Sequence, residues 1–198
     1  MRLKALLAVS SLAVVLLVAA PAALASPNLV TNGSFETGDF SGWTTGGNFE
    51  ATSVTFGGFY AYSGAEDGMW YAVMGPVGSD GTLSETLATT PGASYTFSFW
   101  FASVGDDPSD FSASWDGTPL LSLTNPNTGA NWSEFTYSVT GTGSDTIQFA
   151  FRDDPGYMAL DNVSVVQAGG GTTPEPGSLL LLGSGLLTAL ATLRRKLK

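Results

Sequence analysis

The chain has 198 residues and contains neither cysteine nor histidine, which excludes disulfides, cysteine nucleophiles, Ser-His-Asp triads and the usual His/Cys zinc sites. Its formal net charge is −10. Between Ser26 and Thr173 the acidic excess is greater, because this stretch contains sixteen acidic residues and one basic residue, Arg152, and its net charge is −15. A field of this sign repels phosphate backbones, so nucleic acid is excluded as a partner.

The first twenty-five residues have the pattern of a secretory signal peptide. A charged start at residues 2–4 precedes the apolar run Ala5–Ala20. Ala23 and Ala25 then form an A-x-A cleavage site, with Ser26 as the first residue after it. We therefore predict that this segment is removed from the exported protein. An uncleaved membrane anchor is the alternative.

Short stretches in which apolar and polar residues alternate follow the signal segment, and this period of two is typical of β-strands with one buried face. The last of them is expected to be irregular near Asp161-Asn162, and Asp116-Gly117 is a turn dipeptide favoured in two-residue hairpins. The candidate strands are Leu29–Asn32, Ala51–Val54, Met69–Met74, Thr82–Leu87, Tyr95–Ala102, Phe111–Trp115, Thr118–Leu123, Phe135–Thr140, Ile147–Arg152 and Leu160–Val165.

Eight or nine true strands among these ten candidates predict an all-β domain over residues 26–167. Because each strand has one apolar face, two antiparallel sheets must pack face to face. A jelly-roll sandwich is the first choice of topology, and another β-sandwich is the second. Residues 168–173 are rich in glycine and have few side chains to pack, so we interpret them as a flexible linker.

The C-terminal segment, residues 174–198, combines three ordered features. Pro174-Glu175-Pro176 comes first, an uncharged apolar run over 177–193 follows, and Arg194 and Arg195 open a basic end. Seventeen apolar residues are just sufficient for one transmembrane helix, and the basic end is expected on the cytoplasmic side. A buried core helix with a solvated basic end is the alternative.

This order of features resembles the PEP-CTERM sorting signal of Gram-negative bacteria. The resemblance implies recognition by an exosortase in the inner membrane, cleavage near Pro174-Glu175-Pro176, and export to the cell surface or an extracellular polymer matrix. Such tails are also catalogued as an ice-binding protein C-terminal domain, a label that describes the tail and implies no ice binding.

Two further segments resemble the first and last strands of jelly rolls of the carbohydrate-binding-module type. They are Asn28–Glu36, followed by Gly42-Trp43, and Tyr157–Val165. The resemblance implies that these strands lie side by side and that a structural Ca²⁺ links them. The matching oxygen donors are Glu36 and Asp161.

Calcium takes six to eight oxygen ligands, so backbone carbonyls and a further carboxylate, Asp67 or Glu50, would complete the shell. In the alternative without metal, Glu36 accepts hydrogen bonds from turn amides while Asp161 orders a bulge. The acidic loops Asp106-Asp107 with Asp110, and Asp153-Asp154, are two weaker metal candidates, since neither has the glycine and terminal glutamate of an EF-hand loop.

Sugar binding in such folds uses exposed aromatic rings that stack on pyranose faces. Tyr60 and Tyr62 lie in a glycine-flanked segment and are the main candidates, with Trp43 as a third. A glycosidase would need two carboxylates about 5–9.5 Å apart. No motif singles out such a pair, so we expect no enzymatic activity.

The function predicted from the sequence is that of an exported binding or adhesion protein. Its partners would be the secretion machinery and exosortase, the inner membrane as a transient anchor, and an extracellular polysaccharide. It would reside at the inner membrane before processing, and then at the cell surface or in the extracellular matrix. The alternatives are a structural matrix component without a specific ligand and a carboxylate-based glycoside hydrolase.

Overall fold

A computed structural model describes residues 26–169, which contain ten β-strands and no helix. The strands are β1 Thr44–Gly47, β2 Thr52–Phe56, β3 Trp70–Met74, β4 Gly81–Ala88, β5 Ser94–Ala102, β6 Ser109–Trp115, β7 Thr118–Thr124, β8 Ser133–Thr140, β9 Ser144–Asp153 and β10 Met158–Gln167.

The strands form two five-stranded sheets. The first has the order β1-β4-β9-β6-β7 and the second β2-β3-β10-β5-β8. Every neighbouring pair is antiparallel. The predicted all-β, two-sheet antiparallel architecture is therefore confirmed, and the arrangement is that of a sandwich.

The core lies between the sheets and follows the alternation of the sequence. On β5 and β9 every second side chain is fully or almost fully buried. The Phe99 and Phe149 rings, from opposite sheets, meet edge to face with centroids 5.0 Å apart. Full burial of one such side chain contributes roughly 1.5–3 kcal/mol, and a protein without disulfides depends on these contacts. The large apolar side chains buried on the two strands are Tyr95, Phe97, Phe99, Phe101, Ile147, Phe149 and Phe151.

The segment before β1 lies beside β10, although not as a strand. The Leu29 amide donates to the Val165 carbonyl at 2.9 Å, and the Val163 amide donates to the Gly33 carbonyl at 2.9 Å. Between these two bonds the chain forms a turn at residues 31–34, where Asn32 has a φ of 54°. The strand predicted at Leu29–Asn32 is therefore wrong, because a left-handed residue interrupts the extended backbone.

Two local predictions for the turns and bulges are confirmed. Asp116 and Gly117 both have positive φ, 49° and 73°, as a tight two-residue hairpin between β6 and β7 requires. The pairing of β10 with β5 shifts register between Asp161 and Ser164, and Asn162 has a φ of 46°. This bulge positions the Asp161 side chain described below.

Several predictions concern residues outside 26–169. The signal peptide, the apolar run at 177–193 and residues 170–173 of the linker all lie outside the described part of the chain. Among the residues that the structure describes, no helix is long and apolar enough to cross a membrane.

Candidate functional site

Glu36, predicted as a calcium ligand, holds the start of β3 through backbone amides. Its Oε1 accepts hydrogen bonds from the Met69 amide at 2.7 Å and the Trp70 amide at 2.8 Å. Gly68, with a φ of 68°, lies so close to the carboxylate that a Cβ there would collide with it. Glu36 therefore fixes the end of the β2–β3 loop.

Asp161 performs a similar task from β10, where it is fully buried. Its Oδ2 accepts from the Glu66 amide at 2.8 Å and the Asp67 amide at 3.0 Å, while Oδ1 accepts from the Asn162 amide at 2.7 Å. Burial raises the pKa of Asp161 to about 7, and these three amides only partly offset that effect. Asp161 thus ties the β2–β3 loop to the bulge.

The oxygen donors predicted for Ca²⁺ accept hydrogen bonds from the protein itself in this arrangement. The Oε1 atom of Glu36 and both carboxylate oxygens of Asp161 face N–H groups, and Asp67 Oδ2 accepts from the Ser34 hydroxyl at 3.2 Å. Within residues 26–169, no three acidic, histidine or cysteine side chains are placed to hold one metal ion. Glu36 thus accepts turn amides and Asp161 lies at a bulge, as the alternative without metal describes, and the binding of Ca²⁺ by Glu36, Asp67 and Asp161 stays a prediction.

The predicted sugar-binding aromatic residues separate into two buried rings and one exposed ring. Trp43 is only 8% exposed, stacks on Phe35 at 5.8 Å and donates from Nε1 to the Asn32 carbonyl at 3.2 Å. Tyr62 is 3% exposed, and its hydroxyl donates to the Tyr157 carbonyl. Tyr60 is 54% exposed. Burial removes Trp43 and Tyr62 as stacking surfaces and leaves Tyr60.

A tight turn explains why Tyr60 is exposed while Tyr62 is buried. Phe59 and Tyr62 exchange both backbone hydrogen bonds, at 3.1 and 2.9 Å, and Tyr60 has a φ of 54°. The turn directs Tyr62 into a second apolar cluster. In β3, Ala72 and Met74 belong to the main core while Tyr71 and Val73 belong to this second cluster, which therefore covers the outer face of the second sheet. Its buried members are Tyr62, Tyr71, Val73, Ala102 and Ala159.

An apolar groove that the sequence analysis missed lies at the ends of the β2–β3 loop. Its volume is about 340 Å³. The exposed Phe56 and Met69 side chains, at 61% and 64%, form its apolar part. The Phe56 ring lies 5.0 Å from the ring of Trp70, so two aromatic side chains stand together at this surface. The groove is lined by Phe56, Gly57, Gly64, Ala65, Gly68 and Met69.

Polar groups border the groove on the side of the Glu36 carboxylate. This group lies against Gly68, a lining residue, and Asp67 precedes Gly68 in the chain and is exposed. The surface therefore places apolar and aromatic area beside carboxylate acceptors, a combination suited to the faces and hydroxyls of a sugar. A large apolar residue beside glycine, as in Phe56-Gly57 and Gly68-Met69, is the signal in the sequence that could have identified it.

The residues predicted for sorting and cleavage lie outside the described range. They are Pro174, Glu175, Pro176, Arg194 and Arg195 in the tail and Ala23 and Ala25 before the domain. Ser26, the predicted first residue after signal cleavage, is also the first residue that the structure describes.

The fold and the tail together define a two-sheet β-sandwich chain that carries a PEP-CTERM sorting signal. The family model of the PEP-CTERM protein-sorting motif matches residues 172–196. This motif implies export and exosortase-mediated sorting to the cell surface. A comparison with curated proteins finds no match.

Several solved structures share the fold of the sandwich, at identities too low to show more than the fold. TmCBM61, solved in complex with β-1,4-galactotriose, is 19% identical with a TM-score of 0.59, over 72% of this chain and 99% of that one. The CBM22-1 xylan-binding domain of Paenibacillus barcinonensis Xyn10C is 18% identical with a TM-score of 0.50, over 74% and 97%. The K1 cleaved adhesin domain of Lys-gingipain from Porphyromonas gingivalis W83 is 15% identical with a TM-score of 0.51, over 66% and 96%.

Proposed function

We propose that this chain is an exported surface protein whose sandwich, of the jelly-roll type, binds a polysaccharide without hydrolysing it. The observation that carries the proposal is the pair of rings at the groove. Phe56 is 61% exposed at the end of an edge strand, and Trp70 holds it in place from the neighbouring strand. An exposed ring that packs against a neighbouring ring can serve as a stacking platform for a pyranose.

The chemistry around the groove supports a neutral polymer as the ligand. Between Ser26 and Thr173 the net charge is −15, which opposes the approach of polyanionic polysaccharides. Glu36 and Asp67 provide acceptors for sugar hydroxyls near the apolar surface. The similar modules that bind β-1,4-galactotriose and xylan make galactan and xylan suitable first probes.

The route to the surface completes the proposal. The signal segment ending at Ala25 directs export, and the apolar run at 177–193 holds the chain in the inner membrane until an exosortase acts near Pro174-Glu175-Pro176. The sandwich then remains at the cell surface or enters the extracellular matrix, where it contacts polysaccharide.

The test is a glycan array, including galactan and xylan, probed with the full-length chain in a mild detergent. Phe56→Ala should weaken binding roughly tenfold, because aromatic contacts of this kind contribute about 0.5–1.5 kcal/mol beyond their buried area. Val77→Ala is the matched control, since Val77 is equally exposed at 60% but does not line the groove. An array without any bound glycan would favour the structural matrix component, and release of reducing ends would favour the hydrolase.

A further inference from the structure

A buried carboxylate without a partner lies at the end of β9. Asp153 is fully buried, and neither of its carboxylate oxygens has a hydrogen-bond partner. It follows Phe151 on the inward face of the strand. A buried carboxylate with no donor and no counter-charge is strongly unfavourable, so this group requires a proton or a cation.

A second carboxylate, from a different loop, faces the same place. Asp106 follows β5, and its Oδ2 accepts a hydrogen bond from the Tyr60 hydroxyl at 3.1 Å. Gly156, three residues after Asp153, lies so close to Asp106 Oδ2 that a Cβ there would collide with it. Burial, and then the charge of Asp106, raise the pKa of Asp153 to about 7. The fold thus brings a carboxylate of the β5–β6 loop close to one at the end of β9.

No basic side chain of the described residues neutralises this pair. Arg152 is the only lysine or arginine between residues 26 and 169. Its Nε lies 3.6 Å from Asp110 Oδ2 and 3.5 Å from Asp154 Oδ2, on the other side of the strand from Asp153. The Asp154 charge also raises the pKa of Asp153, and the nearby Gly156 amide, which makes no hydrogen bond of normal geometry to this carboxylate, lowers the pKa only in part.

The two tyrosines of the β2–β3 loop border the same carboxylates. The pKa of the Tyr62 phenol is raised first by burial and then by the charges of Asp153 and Asp106. The pKa of Tyr60 is also raised, by burial and by its hydrogen bond to Asp106. The phenols therefore provide neutral polar surroundings, and neither offsets the negative charge.

We propose that Asp106 and Asp153 together bind one divalent cation, with Ca²⁺ as the ion that best fits the donors. Two carboxylates supply up to four oxygens, and backbone carbonyls and water can complete the six to eight that Ca²⁺ takes. The site shares no residue with the set Glu36, Asp67 and Asp161. It links the β5–β6 loop, the end of β9 and the β2–β3 loop, since the Tyr60 hydroxyl binds one of its ligands.

Terbium luminescence on the full-length chain in a mild detergent tests the proposal, with calcium-induced stabilisation as a second readout. Tb³⁺ replaces Ca²⁺ at oxygen sites, and excitation of the nearby tyrosines should sensitise its emission. Asp153→Asn should abolish at least nine-tenths of this emission and remove the rise in melting temperature that Ca²⁺ gives the unaltered chain. Asp106→Asn, which keeps the hydrogen bond to Tyr60 possible, should have the same effect.

The controls separate this site from the carboxylates at Asp161 and Asp110. Asp161→Asn and Asp110→Asn should retain the sensitised emission, and circular dichroism should show that all four variants remain folded. In the absence of metal, Asp153→Asn should melt at a higher temperature than the unaltered chain, since it removes an unpaired buried charge. Full emission in Asp153→Asn, loss confined to Asp161→Asn, or no calcium effect on the unaltered chain would each overturn the proposal.

Discussion

At the scale of single residues, some aromatic side chains pack in the core and others are exposed at the surface. Trp43 reaches from the segment before β1 into the centre of the sandwich, where it contacts Phe35 at 5.8 Å and Phe149 at 6.1 Å. Phe56 shares its chemistry but lies at the end of an edge strand, where no element covers it. The position in the sheet, rather than the residue type, decides whether a ring stabilises the fold or meets a ligand.

Trp43→Ala should therefore act on stability. We expect the free energy of unfolding to fall by roughly 3–5 kcal/mol, because the truncation leaves a cavity in the core and removes a partly buried hydrogen bond to Asn32. Urea denaturation of the full-length chain in detergent measures this loss. Val77→Ala, at an exposed position, should stay within about 0.5 kcal/mol of the unaltered chain. A Trp43→Ala protein of unchanged stability would contradict the core assignment.

The sequence alone could not show which aromatic side chains are buried and which are exposed. Tyr60 and Tyr62 are both tyrosines in one glycine-flanked stretch, and only the turn between Phe59 and Tyr62 turns one outward and the other inward. That turn depends on a left-handed φ of 54° at Tyr60, and none of the residue types in the stretch predicts this backbone conformation. The hypothesis of two exposed tyrosines was therefore reasonable from composition and wrong for Tyr62.

At the scale of elements, alternation predicted the central strands well and the irregular ones poorly. β5 and β9 were evident because large apolar residues recur at every second position. β1, with the sequence Thr-Thr-Gly-Gly, was not predicted, because it has no apolar residue and exists through its pairing with β4. Beside β10, the Asn28 side chain accepts from the Val165 amide at 2.8 Å and so replaces a main-chain partner, a substitution that periodicity does not reveal.

A buried aspartate connects two turns at one end of the first sheet. Asp145, fully buried at the start of β9, accepts hydrogen bonds from the Thr142 amide at 2.9 Å, the Thr142 hydroxyl at 2.8 Å and the Thr89 hydroxyl. Burial acts to raise the pKa of Asp145, but these donors and a side-chain hydrogen bond with Asp116 lower it to about 2. The carboxylate is therefore a structural acceptor.

Asp145→Ala should lower the free energy of unfolding by about 2–3 kcal/mol, because the donors of Thr142 and Thr89 lose a charged acceptor. Chemical denaturation measures the change, and the exposed neighbour Ser144→Ala serves as the matched control. Native-state hydrogen exchange should locate the loss in the turns that precede β5 and β9. Equal destabilisation by both variants would show that the hydrogen bonds of Asp145 contribute nothing specific.

At the scale of the whole molecule, the dominant feature is the concentration of negative charge in a domain with one basic residue. Sixteen carboxylates repel one another, and two of the buried ones, Asp153 and Asp161, have pKa values raised to about 7. The native state therefore holds protons that the unfolded chain releases near the ordinary aspartate value of about 3.9. Between these values, each rise in pH favours the unfolded state.

The free energy of unfolding, measured with a chelator present, should accordingly be highest near pH 4 and fall as the pH rises to 7. Each of the two raised groups contributes a loss of up to about 1.4 kcal/mol per pH unit. Below pH 4 stability should fall again, since the pKa of Asp145 is lowered to about 2 and its contribution disappears as it is protonated. Urea titrations at pH 3, 4, 5 and 8 measure the curve.

Asp153→Asn should flatten the slope between pH 4 and 7, because one of the two raised groups no longer titrates. Asp110→Asn should leave most of the slope in place, since Asp110 is only partly buried and lies near Arg152. Stability that rises from pH 5 to pH 8 would contradict the raised pKa values.

The place of the last strand has a mechanical consequence. β10 is flanked by β5 on one edge and by β3 and the segment around Leu29 on the other, and the chain continues from its end towards the tail. A pulling force applied through that tail would act first on β10, which is hydrogen-bonded along both of its edges. Several backbone hydrogen bonds must then shear together before the strand slides out, whereas an edge strand would peel away one bond at a time. A domain pulled by its C-terminal end would therefore resist opening.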